Sequence, residues 1–206
     1  PYTTLFRSIL VRRHYHSVGV QLRRLDALAA RAEELIRASL ADGAKKAKGK
    51  PVLDSTGKTA VLLVSGFNGT GLHTLLAIMR IFGGVFKNFV FLEIGVLDVG
   101  NFKGPQEVER LQLQVQNDLN RYVEFMNSEG FYAEAVAEIG VDPADEITRI
   151  VPTILERHPG AVFVGGQLLF LKESVFDRLL HNQLVFTIQR RLHRKGIPFV
   201  ILPICV

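Results

Sequence analysis

The chain has 206 residues, 48 % apolar and 22 % charged, enough to bury one good-sized core in one domain with an appended helix. Its single cysteine, Cys205, excludes an internal disulfide and any cysteine-rich zinc site, and points to a reducing compartment. The net charge of +5 raises nucleic acid and anionic membrane as partners. The excess is clustered at Arg12, Arg13, Arg23 and Arg24, at Lys45, Lys46, Lys48 and Lys50, and at Arg190, Arg191, Arg194 and Lys195. No aromatic residues interleave with these clusters to stack on bases, so nucleic acid is set aside. An anionic membrane surface near residues 12–24 and 45–50 is kept. No run of about 18 apolar residues exists to span a bilayer.

Residues 1–8, "PYTTLFRS", have no helical or strand period and no signal-peptide layout. With one permitted codon choice they back-translate to the tail of a widely used short-read sequencing adapter, so a translated artefact is expected there, with the biological frame starting near Ile9. Residues 9–42 carry an amphipathic helix. Val18, Leu22, Leu25, Leu28, Ala32, Leu35 and Ile36 recur at three- and four-residue steps, and Asp42-Gly43 supplies a stop. Residues 43–58, rich in Lys, Gly and Pro, read as a flexible basic linker. "STGKT" (55–59) within it lacks the earlier glycine of a phosphate-binding loop, Val52 standing there, and it precedes a strand instead of following one.

From Thr59 to Val206, short apolar runs alternate with helical periods. Strands are expected at 59–66, 88–99, 131–140, 161–166 and 198–206. The helices between them begin at Gly69, at Pro105, at Asp142-Pro143 with Asp142 as N-cap, and at Ser174. Continuous apolar strands alternating with helices predict an open, doubly wound, five-stranded parallel α/β sheet, for which the order 3-2-1-4-5 is supposed. Ligands of such sheets bind beyond the carboxyl ends of the strands where the winding reverses, here between the loops 66–73 and 165–173.

"GFNGTGLH" (66–73) brings Gly66, Asn68, Gly69, Thr70 and Gly71 to a strand-to-helix turn, suited either to an anion or to a plain tight turn. Gly165, Gly166 and Gln167 are candidates at the same edge, although the apolar residues that follow suit a buried turn or a protein surface better than a phosphate cradle. Asp98 can bond a ribose or cap its own loop. No metal spacing and no Ser-His-Asp or Cys-His set can be assembled, and Glu107 and Glu109 lie on a helix, so neither metal nor catalysis is expected. No cofactor is expected either, an adenine nucleotide or cyclic dinucleotide being the ligand class the glycines could admit. In the closing helix, Leu180, Leu184, Val185, Ile188 and Leu192 are expected to face the sheet, with His181 and Arg190 toward the flank. Leu180, His181, Leu184 and Arg190 form a candidate interaction surface, for a homodimer among other partners.

"TAVLLVSGFNGTGLHTLL" (59–76), "FKNFVFLEIGVLDVGNFKG" (86–104), "AVFVGGQLLF" (161–170) and the block 179–206 together resemble the cytosolic C-terminal domain attached to many bacterial amino acid permeases of the amino acid-polyamine-organocation superfamily. The resemblance covers nearly all of 11–206 and implies a universal-stress-protein-like fold. It also implies a parent permease whose membrane helices precede the domain, and a place on the cytoplasmic face of the inner membrane. Arginines in "ILVRRHYHSVGVQLRRL" (9–25) would follow the positive-inside bias there. Nucleotide-binding members of the stress-protein group carry an Asp near the end of the first strand and a G-x-x-G motif followed by Gly-Ser or Gly-Thr after the fourth. This chain has Ser65-Gly66 at the first place and lacks the second after Gly165-Gly166. The expectation is therefore a regulatory or assembly domain, with a free-standing adenine-nucleotide-binding stress protein as the alternative.

Overall fold

The computed structural model describes residues 49–98, 100, 104–169 and 183–205, together with Ala27, Ala30, Arg31 and Glu34. These last four are helical and exposed, and all lie off the apolar stripe read from the sequence. The rest of the expected N-terminal helix, the octapeptide, and Leu180 and His181 fall outside the described residues.

Among the described residues from Lys58 to Cys205, nine elements alternate: β1 (Lys58–Val64), α1 (Gly69–Ile81), β2 (Phe86–Val96), α2 (Pro105–Ser128), β3 (Tyr132–Gly140), α3 (Pro143–Arg157), β4 (Val162–Leu169), α4 (Gln183–Arg194) and β5 (Phe199–Cys205). All strand pairs are parallel, in the order β3-β2-β1-β4-β5. This is the doubly wound sheet that the alternation predicts.

The reason for the continuous apolar runs is visible in the packing. Successive strand residues point to opposite faces, and both faces are covered. Leu62, Phe89, Phe91 and Val164 meet Leu72, Leu75 and Ile78 of α1 and Leu119, Tyr122 and Met126 of α2. Val61, Val90, Leu92 and Phe163 meet Ile147, Val151 and Ile154 of α3 and Ile188 and Leu192 of α4. The helix starts follow the sequence signals. Asn68 caps α1 by accepting from the Gly71 amide, and Asp142 caps α3 by accepting from those of Ala144 and Asp145, with Pro143 in the first turn.

Several boundaries differ from expectation: β1 ends at Val64 where 66 was expected, β2 spans Phe86–Val96 where 88–99 was expected, and two further differences change the reading of motifs. β4 runs on to Leu169, so Gly165, Gly166 and Gln167 lie inside a strand paired with Ile201, Leu202 and Pro203, and not in a loop beyond it. The close approach of neighbours explains the glycines. A Cβ at Gly165 would stand 2.7 Å from Val185 Cγ2 of α4, and one at Gly166 would stand 2.6 Å from Thr74 Oγ1 of α1 and 2.5 Å from Ile204 Cδ1.

The folded body also reaches back before Thr59, into what reads as linker. Asp54 Oδ1 accepts from the Thr56 and Gly57 amides and the Thr56 hydroxyl, which hold its carboxyl below the usual range. Asn88 of β2 clasps this turn. Its Oδ1 accepts from the Asp54 amide at 2.9 Å, and its Nδ2 donates to the carbonyls of Asp54 at 2.8 Å and Gly57 at 3.3 Å. "STGKT" is thus a turn at residues 55–57 that runs into β1 at Lys58, at the amino edge of the sheet, opposite the end at which α1 and α3 begin.

The same edge holds a buried polar chain. Thr59 Oγ1 lies 3.3 Å from His158 Nδ1, and His158 Nε2 lies 2.9 Å from Glu134 Oε1. The Glu134 carboxylate also accepts from Tyr132 and Arg157. With Nε2–H donating to that carboxylate, Nδ1 is the ring nitrogen left to accept a hydrogen bond from the Thr59 hydroxyl. Hydroxyl, imidazole and carboxylate in line have the order of a nucleophilic triad, but Thr59 is only 4 % exposed, closed to any substrate. The chain of bonds ties β1, β3 and the end of α3 together.

Replacing Asn88 with Ala removes every bond of the clasp and leaves backbone groups of the turn unpaired. The expected loss is about 2 kcal/mol, read as a lower urea midpoint at unchanged slope.

Candidate functional site

The carboxyl edge of the sheet is notched over β1. Pairing of β1 with β2 ends at Val64 opposite Glu93, while β2 and β3 stay paired to Val96 and Gly140. On the other side β1 leaves β4 at Gly165, while β4 and β5 stay paired to Leu169 and Cys205. At 3.3 Å per residue, β2 and β4 each overhang the end of β1 at Val64 by three residues, about 10 Å. This is the switch point at which ligands of doubly wound sheets bind. The loop 65–68 and the first turn of α1 run through it.

That loop is held by its own protein. Gly66 turns the chain at φ 75°, a conformation that favours glycine. Its amide donates to Glu93 Oε1 at 2.8 Å, and its carbonyl accepts from the Tyr122 hydroxyl at 3.1 Å. Asn68 closes the turn, its side chain donating to the Ser65 carbonyl and accepting from the Gly71 amide. Tyr122 stacks on Phe91 at 4.8 Å between centroids and meets Phe67 at 4.7 Å, and the Arg121 guanidinium lies 4.0 Å over the Phe67 ring. A Cβ at Gly71 would lie 1.9 Å from the Tyr122 hydroxyl oxygen, so Gly71 is the space into which Tyr122 fits.

The electrostatics are acidic. Glu93 is 7 % exposed, with Oε2 buried and without a hydrogen-bond partner. Burial pushes its carboxyl up to about 7, the Gly66 amide opposing that and the charge of Asp118 adding to it. Burial likewise pushes the Tyr122 hydroxyl up, which keeps it a neutral donor to Gly66. Asp118 pairs with Arg121 at 3.6 Å.

Of the residues singled out in the sequence, Gly66, Asn68, Gly69, Thr70 and Gly71 do come together in this loop and helix start. Asp98 accepts from the Gly100 amide at 2.9 Å, capping its own exposed turn. Gly165 and Gly166 pack against α4 and α1 as above, with Gln167 half-buried beyond them. Leu184 does not face the sheet: it is 47 % exposed, because Val185 takes the place over Gly165 and the first turn of α4 rotates Leu184 outward. Arg190 is exposed on the same helix, beside Phe186 and Thr187. Sequence reasoning missed Glu93, Asp118, Arg121 and Tyr122. Glu93 had a signal, as the one charge inside "NFVFLEIGV", and Tyr122 had another, as the hydroxyl-bearing member of the stripe Val115, Leu119, Tyr122, Met126.

Among the described residues no group of three His, Cys, Asp or Glu could hold a metal ion, and no helix is long and apolar enough to cross a membrane. Compared with known proteins, the chain matches no family model and no curated protein.

The contact between Tyr122 and Gly71 can be tested by a double-mutant cycle. Gly71→Ala is expected to cost about 2–3 kcal/mol by overpacking. In the Tyr122→Phe background the same change should cost at least about 1 kcal/mol less, because the colliding oxygen is gone. Equal costs in both backgrounds would show that the two residues do not meet.

Proposed function

We propose that this chain is the cytosolic C-terminal regulatory or assembly domain of a bacterial amino acid permease, unable to transport by itself. The observation that carries the choice between this and a nucleotide-binding stress protein is that side chains already fill the space beside three of the glycines at this edge, Gly71, Gly165 and Gly166. Tyr122 occupies the space at Gly71, Val185 that at Gly165, and Thr74 and Ile204 that at Gly166. A bound phosphate would need to come close to the backbone at such places. The charge agrees with this choice, because the Asp118 carboxylate lies beside Gly66 of the same loop, and like charges at such range repel.

Regulation in such a domain is a linkage. A partner or ligand that prefers one arrangement of the domain biases the attached membrane helices, through the chain that enters at the Asn88 clasp. The permease assignment itself is supported by the resemblance of segments 59–76, 86–104, 161–170 and 179–206, and by the doubly wound fold that this resemblance implies.

Sequencing the source DNA upstream of the Ile9 codon is expected to extend the open frame into successive apolar segments of about 20 residues. A start codon and ribosome-binding site directly before Ile9 would overturn the permease reading. Titration calorimetry with ATP, AMP and cyclic dinucleotides is expected to give no saturable heat up to about 1 mM ligand. Micromolar binding of any of them would move the nucleotide-binding stress protein to first place.

A further inference from the structure

Glu93 occupies a position meant for an apolar side chain. It follows Phe89 and Phe91 on the same face of β2, and its register partners are Val64 on β1 and Ala137 on β3. Of the groups that face it, α2 contributes Asp118, with Arg121 paired to that aspartate, and the neutral Tyr122 hydroxyl. The loop 65–68 offers the Gly66 amide, and α1 carries no titratable side chain before His73. An ionised Glu93 therefore has one hydrogen bond on Oε1, a buried second oxygen with none, and another carboxylate as its nearest charge. Unpaired buried charge is costly enough that such groups neutralise or move.

We infer that Glu93 is a proton-binding site, and that the bound proton holds the loop 65–68 and the first turn of α1 in place. With the proton on Oε2, the carboxyl is neutral and its Oε1 accepts from the Gly66 amide without charge repulsion from Asp118. When the proton leaves to solvent, the carboxylate gains by moving toward water. The way out is the notch, so the loop whose amide it holds is displaced with it. Gly66 is also bonded to Tyr122, which packs on Gly71 and Phe67, so a loss of grip at Glu93 reaches the start of α1. This inference goes beyond the permease assignment and does not depend on it.

The sign follows from linkage. The folded carboxyl keeps its proton up to about 7, whereas its ordinary value is 4.5. The stabilisation is thus complete below 4.5 and is lost as pH rises through 7.

The test uses the full chain, wild type and Glu93→Gln, which keeps an acceptor for the Gly66 amide and stays neutral at every pH. Relative to Glu93→Gln, the wild-type unfolding constant is expected to rise about tenfold between pH 6 and 8. Over the same range the Gly66 and Phe67 amides should lose exchange protection in the wild type but keep it in the variant. Should Glu93→Gln fail to fold, the side-chain carboxyl of Glu93 is followed by carbon NMR in the wild type and in Asp118→Asn. A midpoint near neutrality that falls when Asp118 is neutralised is expected. Parallel stability profiles for wild type and Glu93→Gln, or a Glu93 midpoint below about pH 5.5, would overturn the proton site while leaving the upstream-sequence test untouched.

Discussion

The grip on Gly66, amide to Glu93 and carbonyl to Tyr122, is the contact from which the carboxyl edge of this domain is built. A parallel sheet covered on both faces has no use for charge in its central strands, and here β1 is apolar from Ala60 to Leu63. Glu93 breaks that rule on β2. Its position makes sense only with the turn it supports, because a loop crossing the end of β1 would otherwise leave a backbone amide buried and unpaired. Tyr122 does the same for the carbonyl and fills the space of Gly71. One acid and one phenol thus decide the path of the chain from β1 into α1.

The two edges of the sheet use polar groups differently. At the amino edge one network is bonded throughout, Asn88 with the Asp54 turn, Thr59 with His158, and Glu134 with His158, Tyr132 and Arg157, although Asn127 Oδ1 at the end of α2 is buried without a partner. Satisfied networks of this kind fix one arrangement. At the carboxyl edge a buried carboxylate oxygen is left without a partner. An unsatisfied group beside a satisfied scaffold marks where a fold can respond to its surroundings, since the scaffold stays fixed while the odd group changes state.

The parallel, doubly wound class of the sheet was legible from the sequence because it follows from periodicity, whereas the strand order was a supposition that the structure supplies. Runs apolar on every residue mean strands buried on both faces, and helices between them require crossovers. The cap of α3 was legible for a local reason, as Asp142 acts on amides two and three residues away, whereas Asn68, singled out as a ligand contact, turns out to cap α1 in the same way. The site was half legible. Glycines at residues 66, 69 and 71 announced a tight turn, but the residues that set its chemistry come from β2 and α2, and nothing local ties Glu93 or Tyr122 to Gly66. Gly165 and Gly166 misled for a related reason: a glycine that admits a ligand and one that admits a neighbouring helix look alike in a sequence. Here Val185 and Thr74 take the space.

The Asn88 clasp bears on how force would enter the domain. The chain arriving from the N-terminal side is not simply continuous with β1. At Asp54 it is bonded sideways to β2, before β1 begins. A pull along that chain would load β1 and β2 together, along their length, where the parallel ladder from Thr59–Asn88 to Val64–Glu93 resists in shear and not one bond at a time. The last rung of that ladder is Glu93. Tension applied at one edge of the sheet and protonation at the other therefore act on the same pair of strands.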